Sequence, residues 1–292
     1  MPAPVSLTLF AHVAGRPEDE LDLAEAALLI DDAAYPGLDI PHYLRVLDQL
    51  GGEARRAIER PLRAPEATPG SGPIEQLLRW FYGDLGFHGN SGDYYDPKNS
   101  YLHEVLDRRT GIPITLAVVL LEVCQRAGLE AQGVSFPGHF LVRLRLRAGT
   151  LVLDPFAGGA PQSEEELRRR LERVVPQHAR GGVPVAELPL EHFLEPATKR
   201  QILSRVLRNL KGIYREADKP ERMLEVLNRM LLVAPEASGE LRDRGYVYQR
   251  LECWRPALKD LTDYLEREPD APDIDDVRAS LLDLSARCAR LN

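Results

Sequence analysis

Residues 115–127 read TLAVVLLEVCQRA, a helix-length run that is apolar almost all round, and Gly128 stands where such a helix would close in the left-handed conformation. A helix without a polar face cannot lie on a surface. It has to be sheathed on every side, so the rest of the chain must supply the layers that cover it. After Gly128 the pattern changes: 134–136, 140–146 and 150–153 carry clustered or alternating β-branched and apolar residues, with Gly-containing turns between them. One buried helix followed by a small antiparallel sheet predicts an α+β core.

The flanking regions are helical. Residues 20–30 form an acidic, Leu/Ala-rich segment, and 40–50 place Ile40, Tyr43, Leu44, Val46, Leu47 and Leu50 near one face. The Pro/Gly/Ser-rich stretch 61–73 predicts a loop, helical pattern resumes over 74–82, and 86–99 is rich in turn residues. Ser100 is the expected N-cap of a helix over 101–109, with Glu104 close to capping-box distance. From about residue 195 only helices are expected. Pro235 and Pro269 stand 34 residues apart, the period of a tetratricopeptide unit, which gives repeats of 204–237 and 238–271. The second unit fits the motif through Leu241, Gly245, Tyr248, Ala257, Leu261, Tyr264 and Pro269. The first fits less well, with Lys211 and Met223 where small residues belong. Residues 272–292 supply an amphipathic helix to cap the stack.

Composition narrows the function. A net charge of −8 argues against a nucleic-acid surface, and the arginine clusters at 168–170 and 205–208 read as solvated helix faces. Three widely spaced cysteines fit a reducing cytoplasm without disulfides. The apolar patch 5–13 lacks the preceding positive charge of a signal peptide, and no run reaches the length of a membrane span. A cytoplasmic protein with neither membrane nor nucleic-acid partner is expected.

The chemistry-bearing residues are His139, after a Pro137-Gly138 turn at the head of one strand, and Asp154, 15 residues on at the end of the next. Neighbouring antiparallel strands would bring them side by side, either as a catalytic pair or as a structural hydrogen bond. His88 and His103 add no HxxxH or HExxH spacing, so neither a metal nor any cofactor is expected. The segments NSYLHEVLDRRTGIPITL, GVSFPGHFLVRL and LVLDPFAGG resemble the transglutaminase-like core of the papain-like cysteine hydrolases, and in their wording the bacterial SirB-type family, over about residues 20–270. The resemblance implies a transglutaminase-like domain over 1–194, with a helical N-terminal part, followed by an all-α tetratricopeptide-like domain over 195–292. It also implies a catalytic Cys at the start of the central helix, with His139 and Asp154 as its partners.

The thiol is missing. Its place falls at Pro113 or Ile114, with Thr115 beside it. Cys124 is roughly 15 Å further along the helix at about 1.5 Å per residue, too far to serve. Thr115 is a candidate nucleophile or, more simply, a first-turn helix residue. Asn99, Glu104 and Arg109 match the family motif and either line the cleft or brace its loops, and residues 93–97 offer an acidic-aromatic rim or an ordinary turn. The expectation is a non-catalytic protein- or peptide-binding module acting through cleft and repeats. The alternative is a hydrolase that uses His139 and Asp154 with Thr115 or an activated water.

Overall fold

The structure is a computed structural model that describes residues 5–59, 72–146, 149–176 and 183–290. Three helices open the chain, α1 (Val5–Ala14), α2 (Leu23–Ala34) and α3 (Ile40–Glu59). The expected start of α2 at residue 20 moves to Leu23 because Asp22 caps the helix, its carboxylate accepting the Glu25 amide at 2.8 Å. Residues 61–71 of the expected loop lie outside the described residues, and Pro73 already opens α4 (Pro73–Leu78), which continues as a π-helical turn over Arg79–Asp84. Strands β1 (His88–Gly89) and β2 (Thr110–Gly111) pair in parallel around α5 (Leu102–Arg108). Ser100 is not the cap of α5. It ends a 3-10 turn over Pro97–Ser100, the N-cap is Tyr101, and the Glu104 carboxylate accepts the Tyr35 hydroxyl at 2.8 Å instead.

The apolar run forms α6 (Pro113–Ala127), closed by Gly128 at φ +83°. Pro at the first helical position gives up an amide that would have no partner there. The sheet that follows is antiparallel in the order β3 (Ala131–Val134), β4 (Leu141–Leu146), β5 (Gly149–Asp154) and β6 (Ala160–Pro161), with Val142 opposite both Gly133 and Leu153. Then come α7 (Glu164–Val174), α8 (Lys199–Glu216), α9 (Pro220–Val233), α10 (Ser238–Arg250), α11 (Trp254–Arg267) and α12 (Ile274–Ala289). The fold is α+β, a helix-rich core with a small antiparallel sheet followed by helical hairpins.

α6 is covered as its sequence demands. Nearly all of it is buried, against α3, α5, the sheet and α8. The same apolar cluster continues without a break into α8 and α9 through Leu203, Leu207, Leu210 and Leu227. The second hairpin and α12 close a separate cluster around Leu241, Ala257, Leu261 and Leu284. The poor fit of the first repeat unit now has a reason. Gly245 lets α10 cross α11 closely, since a Cβ there would stand 2.7 Å from Leu261. Its counterpart Lys211 is buried but turns its ammonium out to Glu240 and Asp243 on α10.

The α3–α6 contact rests on Gly51. A Cβ at that position would fall 2.2 Å from Cβ of Arg126, whose guanidinium reaches back to Asp48 at 2.8 Å and to Glu122. Gly51→Ala is expected to lower the unfolding free energy by about 2 kcal/mol, because backbone has to move. Gly52→Ala next to it meets only the tip of Arg56 at 3.7 Å and is expected to gain about 0.5 kcal/mol from helix propensity. Urea titration of the two variants checks the pair; equal effects would contradict this packing.

Candidate functional site

The strand register sets the pair. β5 ends on Asp154, next in line to Leu141 on β4, and the Pro137-Gly138 turn brings His139 back over that end. His139 Nε2 lies 2.8 Å from Asp154 Oδ1. Two amides, of Phe156 at 3.0 Å and Ala157 at 3.2 Å, donate to the same oxygen. Arg170 of α7 donates to Oδ2 at 2.6 Å. Burial alone would raise the Asp154 carboxyl; the bond and charge of His139, then Arg170 and the Phe156 amide, overcome it and hold the group below its ordinary value. His139 remains partly open to solvent, and its Nδ1 has no hydrogen-bond partner among the described residues. Such an imidazole, fixed through one nitrogen and open at the other, can accept or deliver a proton.

The start of α6 lies near this pair through a short series of contacts. Gly111 pairs with Gly89, a Cβ on Gly89 would stand 2.5 Å from the Phe156 ring, and Phe156 donates its amide to Asp154. At that start Pro113, Ile114 and Thr115 are all buried. The Thr115 hydroxyl accepts the Ile112 amide at 3.2 Å and gives its own proton to the Asn99 carbonyl at 2.6 Å. No hydrogen bond joins it to His139.

The other residues of the motif divide by role. The Asn99 side chain is fully buried and ties the 90–96 loop together, donating to the Asp93 carbonyl at 2.6 Å and accepting from Asn90 at 3.1 Å. Glu104 faces Tyr35, Lys98 and Arg108. Arg109 takes the left-handed conformation at the end of α5, with its guanidinium 4.8 Å above the Phe87 ring. The loop held by Asn99 carries Tyr94 and Tyr95 outward, and with Ile112 and one face of α8 they enclose a cavity of about 750 Å³. Tyr94 also packs against Phe156, ring centroids 5.9 Å apart, and Phe156 in turn donates its amide to Asp154.

Two features escaped the sequence. Arg170 belongs to a run that read as a solvated face, yet it grips Asp154, while Arg168 holds Glu164 and the carbonyls of Val185 and Leu188. A second buried His–Asp pair joins His103 Nδ1 to Asp31 at 2.8 Å, where burial pushes the Asp31 carboxyl up to about 6 against the pull of His103. His88 bonds the Gly86 carbonyl and approaches Thr110, so the three histidines go to three different partners.

A buried helix, then a His in the turn before one strand and an Asp at the end of the next, with helical hairpins behind, is the arrangement of a transglutaminase-like protein carrying tetratricopeptide repeats. The Transglutaminase-like superfamily matches residues 41–208 and the Tetratricopeptide repeat family residues 210–281. A UPF0162 protein of Xylella fastidiosa (strain Temecula1) is 40% identical over 96% of this chain and 95% of its own length. Protein SirB1 of Salmonella typhimurium is 32% identical over 71% of this chain and 74% of its own. Among solved structures, menin aligns with 89% of this chain and 68% of its own at 13% identity and a TM-score of 0.34, too loose to carry an argument. The chain belongs to the transglutaminase-like superfamily, in the family of SirB1 and the UPF0162 proteins.

Two measurements check the site. Asp154 is depressed, so its stabilising contribution is complete above the unfolded carboxyl value and lost as pH falls through the folded one. The urea midpoint of the wild type is expected to exceed that of Asp154→Asn near neutrality, with the gap closing below roughly pH 4. A gap independent of pH would contradict the ionic role. Burial pushes the Cys124 thiol up to about 12, so iodoacetamide is expected to label the exposed Cys253 in native protein and Cys124 only in denaturant, as read by peptide mass mapping.

Proposed function

We propose that this chain is a non-catalytic transglutaminase-like protein of the reducing cytoplasm that binds a protein or peptide segment. It would work as two units, a transglutaminase-like part over 1–194 and a helical-repeat part over 195–292, with the cleft between Tyr94, Ile112 and α8 receiving the segment. The observation that carries this reading is the start of α6. A covalent hydrolase of this architecture needs a nucleophile there, facing the imidazole. Pro113 and Ile114 instead pack into the core, and the Thr115 hydroxyl spends its proton on the Asn99 carbonyl. Attack by Thr115 would break the bond that holds Asn99 and with it the loop carrying the aromatic rim.

Further support comes from the cost of keeping Asp154 buried. Four donors satisfy it, so the His139–Asp154 pair has a structural purpose that does not require turnover. A second reading, hydrolysis by a water activated at His139, draws on one observation, the unpartnered Nδ1.

Incubation with peptide and isopeptide substrates distinguishes the two. Wild-type protein is expected to give no turnover above background, and His139→Ala to behave the same. Hydrolysis that vanished in a folded His139→Ala protein would sink the binding reading and establish the second.

A further inference from the structure

The cavity beside Ile112 has a charged wall, lined by Arg208, Arg215 and Glu216 of α8. Along α8 the positions Arg205, Arg208, Gly212 and Arg215 recur at helical spacing and form one stripe. Arg215 is answered by Glu216 at 3.5 Å. Arg205 and Arg208 have neither an acidic partner nor a hydrogen bond among the described residues. Arg205 is half-buried behind Tyr94, where burial first and the neighbouring Arg208 charge second pull its guanidinium below the ordinary value. Several other half-buried arginines are answered by carboxylates, Arg170 by Asp154, Arg244 by Asp260 and Arg242 by Asp273, whereas the buried Arg229 is held by the Ser6 hydroxyl and the Glu225 carbonyl. A half-buried guanidinium group with no counter-charge, next to a second, exposed one, costs stability unless something anionic meets it.

Gly212 is the second, independent observation. It sits in the interior of an 18-residue helix, where glycine costs about 1 kcal/mol relative to alanine. Nothing in the fold requires it, since a Cβ there would meet no atom within 4 Å. What it does is leave the wall of the cavity bare, opposite Tyr95, which is 75% exposed. Most of the remaining surface is apolar, from Tyr94, Ile112, Ile213 and Ala217, with Asn209 and the Arg215-paired Glu216 as its polar members. A short cleft with a bare backbone in one wall, the unpaired Arg208 in its lining, Arg205 beside its Tyr94 rim and a largely apolar floor suits an extended chain with carboxylates on alternate residues. Its few cations, in a chain of net charge −8, suit a nucleic-acid strand poorly.

We propose that this groove binds an extended acidic peptide segment of a partner protein, with Arg205 and Arg208 pairing its carboxylates and the side chains between them lying over Gly212 toward Ile112 and Ile213. The proposal rests on the binding reading above and adds the chemistry of the partner. Arginine suits the task, because its planar fork meets a carboxylate through two parallel bonds.

The test is fluorescence anisotropy on the full chain with a fluorescein-labelled peptide of alternating glutamate and leucine, against the same peptide with glutamine. Saturable binding of the glutamate peptide is expected, at least tenfold tighter than the glutamine peptide and weakened at least tenfold by Arg205→Gln or Arg208→Gln. Gly212→Leu is expected to abolish binding while matching or exceeding the wild-type melting temperature, which separates a filled groove from a damaged fold. Equal binding of both peptides, undiminished binding by Gly212→Leu, no binding at all, or displacement by a short oligothymidylate at lower concentration than by unlabelled peptide would each overturn the proposal. Mass analysis of the recovered peptide keeps the two levels apart. Cleaved peptide would overturn the non-catalytic reading itself, whereas an intact peptide bound without regard to charge would overturn only the acidic specificity.

Discussion

A helix that is apolar on every side has to be enclosed, and most of the architecture follows from enclosing α6. α3 reaches it through the missing Cβ of Gly51, α5 and the sheet take two more sides, and α8 covers what remains. Glu122, the acid within the run, is held by Arg126, and Arg126 is held by Asp48, so the polar exception becomes a clasp to α3. Because α8 is needed to finish the sheath, the first helical hairpin shares the core with the transglutaminase-like part. A two-unit repeat array has few neighbours to cover its apolar faces. Here the buried helix is one of them.

The position of the cleft is a consequence of that sharing. α8 is fixed against α6 on its buried side, so its other side must face whatever lies by the α6 N-terminus. What lies there is Ile112 and the loop pinned by Asn99. The hydroxyl of Thr115 is the tie between the two, since it bonds the Asn99 carbonyl and the Ile112 amide at once. The same corner of the helix thereby holds the loop that carries Tyr94 and Tyr95.

Much of this was legible in the residues and some was not, for physical reasons. α6, the strand ended by Asp154 and the 34-residue period are local patterns of apolar spacing and turn chemistry and appear in the fold, whereas the strand expected to open on His139 begins at Leu141, leaving His139 in the turn before it, and the strand expected over 134–136 lies at Ala131–Val134. Contacts made at long range left no local mark. Arg170 looks like any arginine of an exposed helix until α7 is laid across β5, and Asp31 sits 72 residues from the His103 it binds. Ser100 had the residue type of a helix cap, but Pro97 starts a 3-10 turn that consumes it and leaves the cap to Tyr101. The π-helical turn after α4 follows from no spacing rule in Arg79–Asp84.

Lys211 and Gly212 stand side by side in α8 and show how one helix serves two surfaces. In the second hairpin the position equivalent to Lys211 is Gly245, a true contact glycine whose Cβ would collide with Leu261. In the first hairpin that position carries a lysine that bridges to α10, binding the two repeat units together. The glycine has moved one residue on, a rotation of about 100° around the helix, which takes it from the packed side to the side of the cavity. A contact glycine is explained by the atoms it would otherwise strike. Gly212 strikes nothing, so packing does not account for it, and what it borders is the open groove between Tyr95 and α8.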